Sequence, residues 1–195
     1  MCLLLNNKIA CGCRDGSISI WNIADSIRVK IFKAHNDWIP YLLSVDNLRL
    51  ISCSSQQDKK IKIWNLDTFE CIKALEGHSH SVFYLELTLG GNLLSCSSDK
   101  TVKLWQIKTG KDLKSIQFDD QVCCVKILNK DLIAVALLNG EILIYNFNQE
   151  HYVKSLSTSG SSSASRLLLL SNGNLLSASK NGNIAQIEML NMNDS

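Results

Sequence analysis

One motif returns five times along this chain at nearly constant spacing, and no other feature limits the fold as tightly. The copies are Asp15-Gly-Ser-Ile-Ser-Ile-Trp21-Asn-Ile23, Asp58-Lys-Lys-Ile-Lys-Ile-Trp64-Asn-Leu66 and Asp99-Lys-Thr-Val-Lys-Leu-Trp105-Gln-Ile107. Two weaker copies follow, Asn139-Gly-Glu-Ile-Leu-Ile-Tyr145-Asn-Phe147 and Asn181-Gly-Asn-Ile-Ala-Gln-Ile187-Glu-Met189. The aromatic residue, or its substitute, stands at 21, 64, 105, 145 and 187, in steps of 43, 41, 40 and 42 residues. A period of that length marks a chain of stacked supersecondary units.

Each unit reads as four short strands. In the third, Val82 to Leu87 is apolar and β-prone, Gly90-Gly91-Asn92 is a turn, and Leu93 to Ser98 is a second strand. Asp99-Lys100 turns again, Thr101 to Ile107 is a third strand, and Asp112 to Phe118 is a fourth after Thr109-Gly110-Lys111. Four strands of about 5–6 residues fill such a unit and leave no room for a helix. Runs such as Ile142-Leu143-Ile144 are apolar on both faces, as expected where each sheet is covered on both sides by its neighbours.

The period, the four strands and the turn Asp six residues before Trp resemble the WD40 β-propeller family. Ala34-His35 and Gly77-His78 match the Gly-His start of its repeats, and Trp21-Asn22, Trp64-Asn65 and Trp105-Gln106 keep the Trp of its Trp-Asp ending while losing the Asp. The resemblance covers essentially the whole chain. It implies one all-β repeat domain over 1–195, with units near 1–33, 34–76, 77–117, 118–157 and 158–195. It also implies a structural network of His78, Ser95, Asp99 and Trp105, in which a buried Asp and His are satisfied by hydroxyl and indole N–H. His35, Ser52, Asp58 and Trp64 stand at the same places in the second unit. There the turn is two residues longer, at Gln56-Gln57, so distortion is expected. The fourth unit has Phe118, Val135, Asn139 and Tyr145 instead, and no such network. A Ser-His-Asp set duplicated within one chain and tied to Trp each time reads as structure, not as a catalytic triad.

The family's common binding face is the narrow rim, built from residues just after the Gly-His position and just before the turn Asp. Carried onto this chain, it comprises Arg14; Trp38, Pro40 and Gln57; Ser81, Phe83 and Ser98; Gln121, Cys123 and Leu138; and Ser163, Ser165 and Lys180, with His80 beside them. Trp38 is the one Trp outside the third-strand position and is the foremost candidate anchor, since Trp is enriched among binding hot spots. With only Arg14 and Lys180 basic, the rim disfavours a phosphopeptide, which calls for clustered Arg.

Composition narrows the remaining classes. Twenty Lys+Arg against 18 Asp+Glu give a net charge of +2, too balanced for a general nucleic-acid binder. A 46% hydrophobic and 19% charged chain is globular, not disordered. No apolar run is long enough for a membrane span, and Cys-Leu-Leu-Leu after Met1 is too short for a signal peptide. The eight cysteines form no C-x-x-C pair, so they read as small core residues in a reducing compartment, cytoplasm or nucleus, and no metal is expected. The Gly-Gly and Asn-Gly pairs are hairpin turns, not phosphate loops. Ser157 to Ser165 reads as a mobile connection.

Four full units and a fifth ending at its third strand suggest an open or incomplete ring and a fragment of a larger propeller. The outer faces of its end blades, carrying Leu3 to Leu5 and Leu167 to Leu170, are then expected to be exposed and to promote self-association. The functional expectation is a non-catalytic scaffold, with no cofactor, that binds a peptide or protein through its rim. The alternatives are the substrate-recognition part of an F-box/WD-type ubiquitin ligase receptor and the propeller part of a larger multidomain protein.

Overall fold

A computed structural model describes residues 1–5, 7–157, 164–179 and 181–189. Its strands form five antiparallel sheets, each a meander in chain order. The first sheet is β1 (Cys2–Leu4), β2 (Lys8–Gly12), β3 (Ser17–Asn22) and β4 (Arg28–Lys33). The second is β5 (Tyr41–Ser44), β6 (Arg49–Cys53), β7 (Ile61–Asn65) and β8 (Cys71–Leu75). The third is β9 (Val82–Leu87), β10 (Leu93–Ser97), β11 (Thr101–Gln106) and β12 (Lys111–Gln117). β13 (Val122–Ile127), β14 (Leu132–Leu137), β15 (Glu141–Asn146) and β16 (His151–Ser157) form the fourth. β17 (Ala164–Leu169), β18 (Leu175–Ser179) and β19 (Ile184–Ile187) form a three-stranded fifth. None of the five closes on itself.

The first strands of successive sheets lie against one another, β1 on β5, β5 on β9, β9 on β13 and β13 on β17. The sheets are therefore blades of an incomplete propeller, with these strands nearest the common axis. Strand alternation then assigns each residue to one of two blade faces. One core lies between the first and second blades, where Ile18, Ile20 and Ala10 meet Leu42, Leu50 and Trp64. A second joins Ile51, Ile61, Ile63 and Leu75 to Leu85, Leu93 and Trp105. The largest runs from Leu94 and Val102 through Val135 and Ile144 to Leu167 and Leu175. Trp64 and Trp105 thus pack toward the preceding blade, Trp64 edge-on against Phe32 at 5.2 Å. Ile142, Leu143 and Ile144 are all buried, because that blade is covered on both faces.

A β-bulge falls at the aromatic residue in each of the four complete blades, at Trp21, Trp64, Trp105 and Tyr145, in the pairing of the third strand with the fourth. A bulge sharpens local twist, and each blade takes it at the same point.

Two expectations need correction. Leu167 is buried against the fourth blade at 4% exposure, whereas Leu168 on the opposite strand face is 54% exposed. Alternation splits the leucine run between a covered and an uncovered face. The proposed Ser-rich connection is also shorter, because β16 reaches Ser157 and β17 begins at Ala164; residues 158–163 lie outside the described residues. At the other end Leu3 and Leu5 are exposed, and Ile31 shares the first blade's uncovered face with Leu3.

Candidate functional site

Two candidate sites stood out in the sequence, the Ser-His-Asp-Trp sets and the rim. In the third blade, Trp105 Nε1 donates to Ser95 Oγ at 2.8 Å. Ser95 Oγ lies 2.7 Å from His78 Nε2, and His78 Nδ1 lies 2.7 Å from Asp99 Oδ2. The donors and acceptors match along the whole chain with one tautomer. The indole N–H donates to Ser95, whose hydroxyl donates to Nε2; Nδ1–H donates to the carboxylate. Asp99 further accepts from the Ser79 amide and from the Thr101 amide and hydroxyl. Burial pushes its carboxyl up, but the bonds from His78, Thr101 and Ser79 outweigh that and hold it below the usual range.

The second blade repeats the arrangement. Trp64 Nε1 donates to Ser52 Oγ at 2.8 Å, and His35 joins Ser52 at 2.6 Å to Asp58 at 2.8 Å. The longer turn therefore does not distort this network, contrary to expectation. Gln56 and Gln57 project to solvent, Lys59 takes a left-handed φ of 59°, and Asp37 accepts the Gln57 amide. The extra length is absorbed outside the set. Burial lowers the His35 pKa to about 4, although Asp58 pulls it upward, so the ring is neutral at physiological pH.

His35 is placed by the first blade. The Gly16 carbonyl accepts the Ala34 and His35 amides at 3.0 and 2.9 Å. Gly16 has φ +82°, and a Cβ there would sit 2.2 Å from the His35 carbonyl oxygen, so the approach requires glycine. The first blade itself has Asp15 and Trp21 but Cys11 where Ser52 and Ser95 stand, and Trp21 Nε1 donates to Ser19 instead.

These sets have the connectivity of a hydrolytic triad but not its access. Ser95 and Ser52 are 0% exposed, and each Oγ is engaged by indole and imidazole together. A substrate carbonyl reaches Oγ only if Trp105 or Trp64 leaves. Among the described residues, no three His, Cys, Asp or Glu side chains are placed to hold a metal. Burial pushes the Cys53 and Cys124 thiols up to about 12, which leaves them protonated and unreactive.

The rim residues divide. Trp38 is 43% exposed, while its backbone carbonyl accepts from Ser54 Oγ and the Ser55 amide. Its loop is held while its ring faces outward. Trp38, Pro40 and Phe83 line one cavity of about 380 Å³ with Cys123, Leu138, Gln121 and Ser165. Arg14 and Gln57 are exposed but lie outside that lining. Ser81 is buried, and its carbonyl accepts the amide and hydroxyl of Ser98. That contact covers Ser81, which corrects the expectation for Ser81, while Ser98 stays partly exposed. Lys180 and Ser163 lie outside the described residues. His80 sits beside Ser79, at 3.2 Å from its hydroxyl.

Sequence reasoning missed Arg166, which also lines the cavity. Its guanidinium lies 5.2 Å from the Tyr41 ring centroid and 5.3 Å from that of Tyr84, and the two rings stand 4.4 Å apart. Arg166 also donates to the Ser165 carbonyl. Burial raises the pKa of both tyrosines, so they remain neutral, and among the described residues that line the cavity Arg166 alone carries a formal charge. A signal was present: 41, 84, 124 and 166 follow steps of 43, 40 and 42. These residues occupy matching first-strand positions opposite Cys53, Cys96, Ala136 and Ala178.

Comparison with known families gives two matches. The family described as WD domain, G-beta repeat matches residues 26–65 and 69–106. Each match begins at the fourth strand of one blade (β4 or β8) and continues through the first three strands of the next. No curated protein matches the chain.

Proposed function

We propose that this chain, two of whose repeats match the WD40 family, whose repeats are generally protein-interaction scaffolds, is a non-catalytic scaffold whose rim cavity holds a segment of a partner protein. The observation that carries this reading is the convergence of Trp38, Pro40, Phe83 and Leu138 with Arg166 on one cavity. It combines an apolar enclosure with the oriented cation of Arg166, the pattern of a recognition pocket. The hydrogen-bonded sets beneath hold the loops in place, and their buried serines support a scaffold over a hydrolase. The fitting occupant is a peptide segment with one large apolar side chain and a nearby carboxylate for Arg166.

The test is capture of partners by the full chain, Trp38→Ala and Arg166→Ala, with melting followed in parallel. A specific partner retained by the wild type and lost by both variants at unchanged melting temperature supports the reading. Binding unaffected by either variant removes the cavity from it. Self-association through the end blades is a second reading, supported by the exposure of Leu3, Ile31, Leu168 and Ile184. Its mark is sensitivity to Leu168→Asp and Ile184→Asp.

A further inference from the structure

The other end of the blades holds a second cavity. β9 runs from the Phe83 rim to the turn Thr88–Asn92, so this turn lies at the opposite end of the molecule. A cavity of about 260 Å³ opens there between the third and fourth blades. Its walls are Leu94, Leu104, Ile127, Ile133 and Phe147. At its edge Lys130 is exposed, and the side chains of Thr88, Asn129, Asp131 and Asn148 are engaged within their own turns or, for Asn148 and Asp131, with each other. Thr88 Oγ1 accepts the Asn92 amide, Asn129 Oδ1 accepts the Asp131 and Leu132 amides, and Asn148 Nδ2 donates to Asp131. What the site offers an incoming group is therefore apolar. A dry cavity of about 150 Å³ already accepts a benzene ring, so this one is large enough for a leucine side chain.

Its lip carries the most exposed large apolar side chain among the described residues. Leu89 is 96% exposed, against 53% for Leu48 at the matching turn of the second blade. Leu89 is followed by Gly90 and Gly91, and the ideal Cβ position of Gly91 has nothing within 4 Å. The tip thus presents one projecting side chain with little around it to obstruct a close approach. Lys130 and Asp131 adjoin on the same edge, with Nζ 3.8 Å from the carboxylate and the lysine 86% exposed.

A knob beside a hole of matching chemistry, flanked by one cation and one anion, is complementary to itself under two-fold rotation. We propose that two copies of the chain pair through this end, each Leu89 entering the other's cavity and each Lys130 facing the other's Asp131. One anchor per copy makes a small interface, and interfaces of that class are weak and transient. The pairing leaves the Trp38 cavity free at the far end, so it is independent of the partner-binding reading above.

Sedimentation velocity of the full chain, from micromolar to submillimolar concentration, tests the proposal. The wild type should show a reversible monomer–dimer equilibrium. Leu89→Asp, which drives a carboxylate toward an apolar hole, should weaken it about tenfold or more without shifting the melt. Leu89→Met should keep most of it, and Lys130→Glu should weaken it less than Leu89→Asp does. Leu168→Asp and Ile184→Asp, on the uncovered face of the fifth blade, should leave it unchanged. A wild type monomeric throughout overturns the proposal, as does association that survives Leu89→Asp or that is abolished by Leu168→Asp.

Discussion

The third and fourth blades solve the same problem with different chemistry. Both must tie the entering loop to the third strand. The third does so through His78, Ser95, Asp99 and Trp105, a directional chain of hydrogen bonds. The fourth has Phe118 where His78 stands, Val135 for Ser95 and Tyr145 for Trp105. Its ties are aromatic: Phe118 meets Tyr145 edge-on at 5.6 Å, and Tyr152 meets the two at 6.3 and 5.4 Å. Ring contacts of this kind are worth roughly 0.5–1.5 kcal/mol beyond area burial and involve no protons. The hydrogen-bonded version fixes partners atom by atom, and it leaves unsatisfied groups when one member is lost.

The largest expected break is Trp105→Ala. It removes a ring 1% exposed and should cost about 3–5 kcal/mol in urea unfolding. Tyr145→Phe in the fourth blade keeps the ring contacts and should cost under about 1.5 kcal/mol. A Tyr145→Phe loss as large as that of Trp105→Ala would erase the distinction between the blades.

Next is Ser95→Ala. Removing one hydroxyl strands both the Trp105 N–H and His78 Nε2, so the loss should be about 1–3 kcal/mol per orphaned group. Val135→Ala, which removes two methyl groups from the matching position, tests the contrast. Its loss should come with the cavity it leaves and be independent of pH.

The smallest effect is acid sensitivity. The folded pKa of His35 lies near 4, lowered from 6.5, so the unfolded chain binds more protons between those values. The stability contributed by neutral His35 is complete above about pH 6.5 and is lost as pH falls toward 4. Unfolding free energies at pH 7 and pH 5 should therefore differ by less in His35→Gln than in the wild type. An unchanged difference would show that the second blade's network does not carry this sensitivity.

Much of this arrangement was legible because the repeat fixes its own register. Once Trp21, Trp64 and Trp105 are aligned, turn, strand and network positions follow by offset. For β9, the strand Val82–Leu87 read from apolar pattern is the strand observed. Legibility failed where a local event broke the offset. The extra Gln56 and Gln57 looked disruptive because a one-dimensional reading cannot see that Asp37 caps the turn from outside. Ser81 looked available because the register shift between Cys96 and Ser97, which draws its backbone under Ser98, has no compositional signature. Arg166 was missed because the rim rule stopped at Pro40, Phe83, Cys123 and Ser165, one residue short of the first-strand position that Arg166 shares with Tyr41, Tyr84 and Cys124. Tyr152 escaped notice because fourth strands are mostly exposed, and that ring is 51% exposed even while it braces Tyr145.

The staggering of repeat against blade has a consequence for how such a chain can change. A duplicated repeat brings an outer strand for the blade before it and three strands for a new blade, which then takes its own outer strand from the repeat that follows. Copying one unit lengthens the array by one whole blade and leaves no seam. Damage obeys the same rule in reverse: a frameshift or deletion confined to a single repeat removes strands from two neighbouring sheets, so its effects extend beyond the blade in which the altered residues stand.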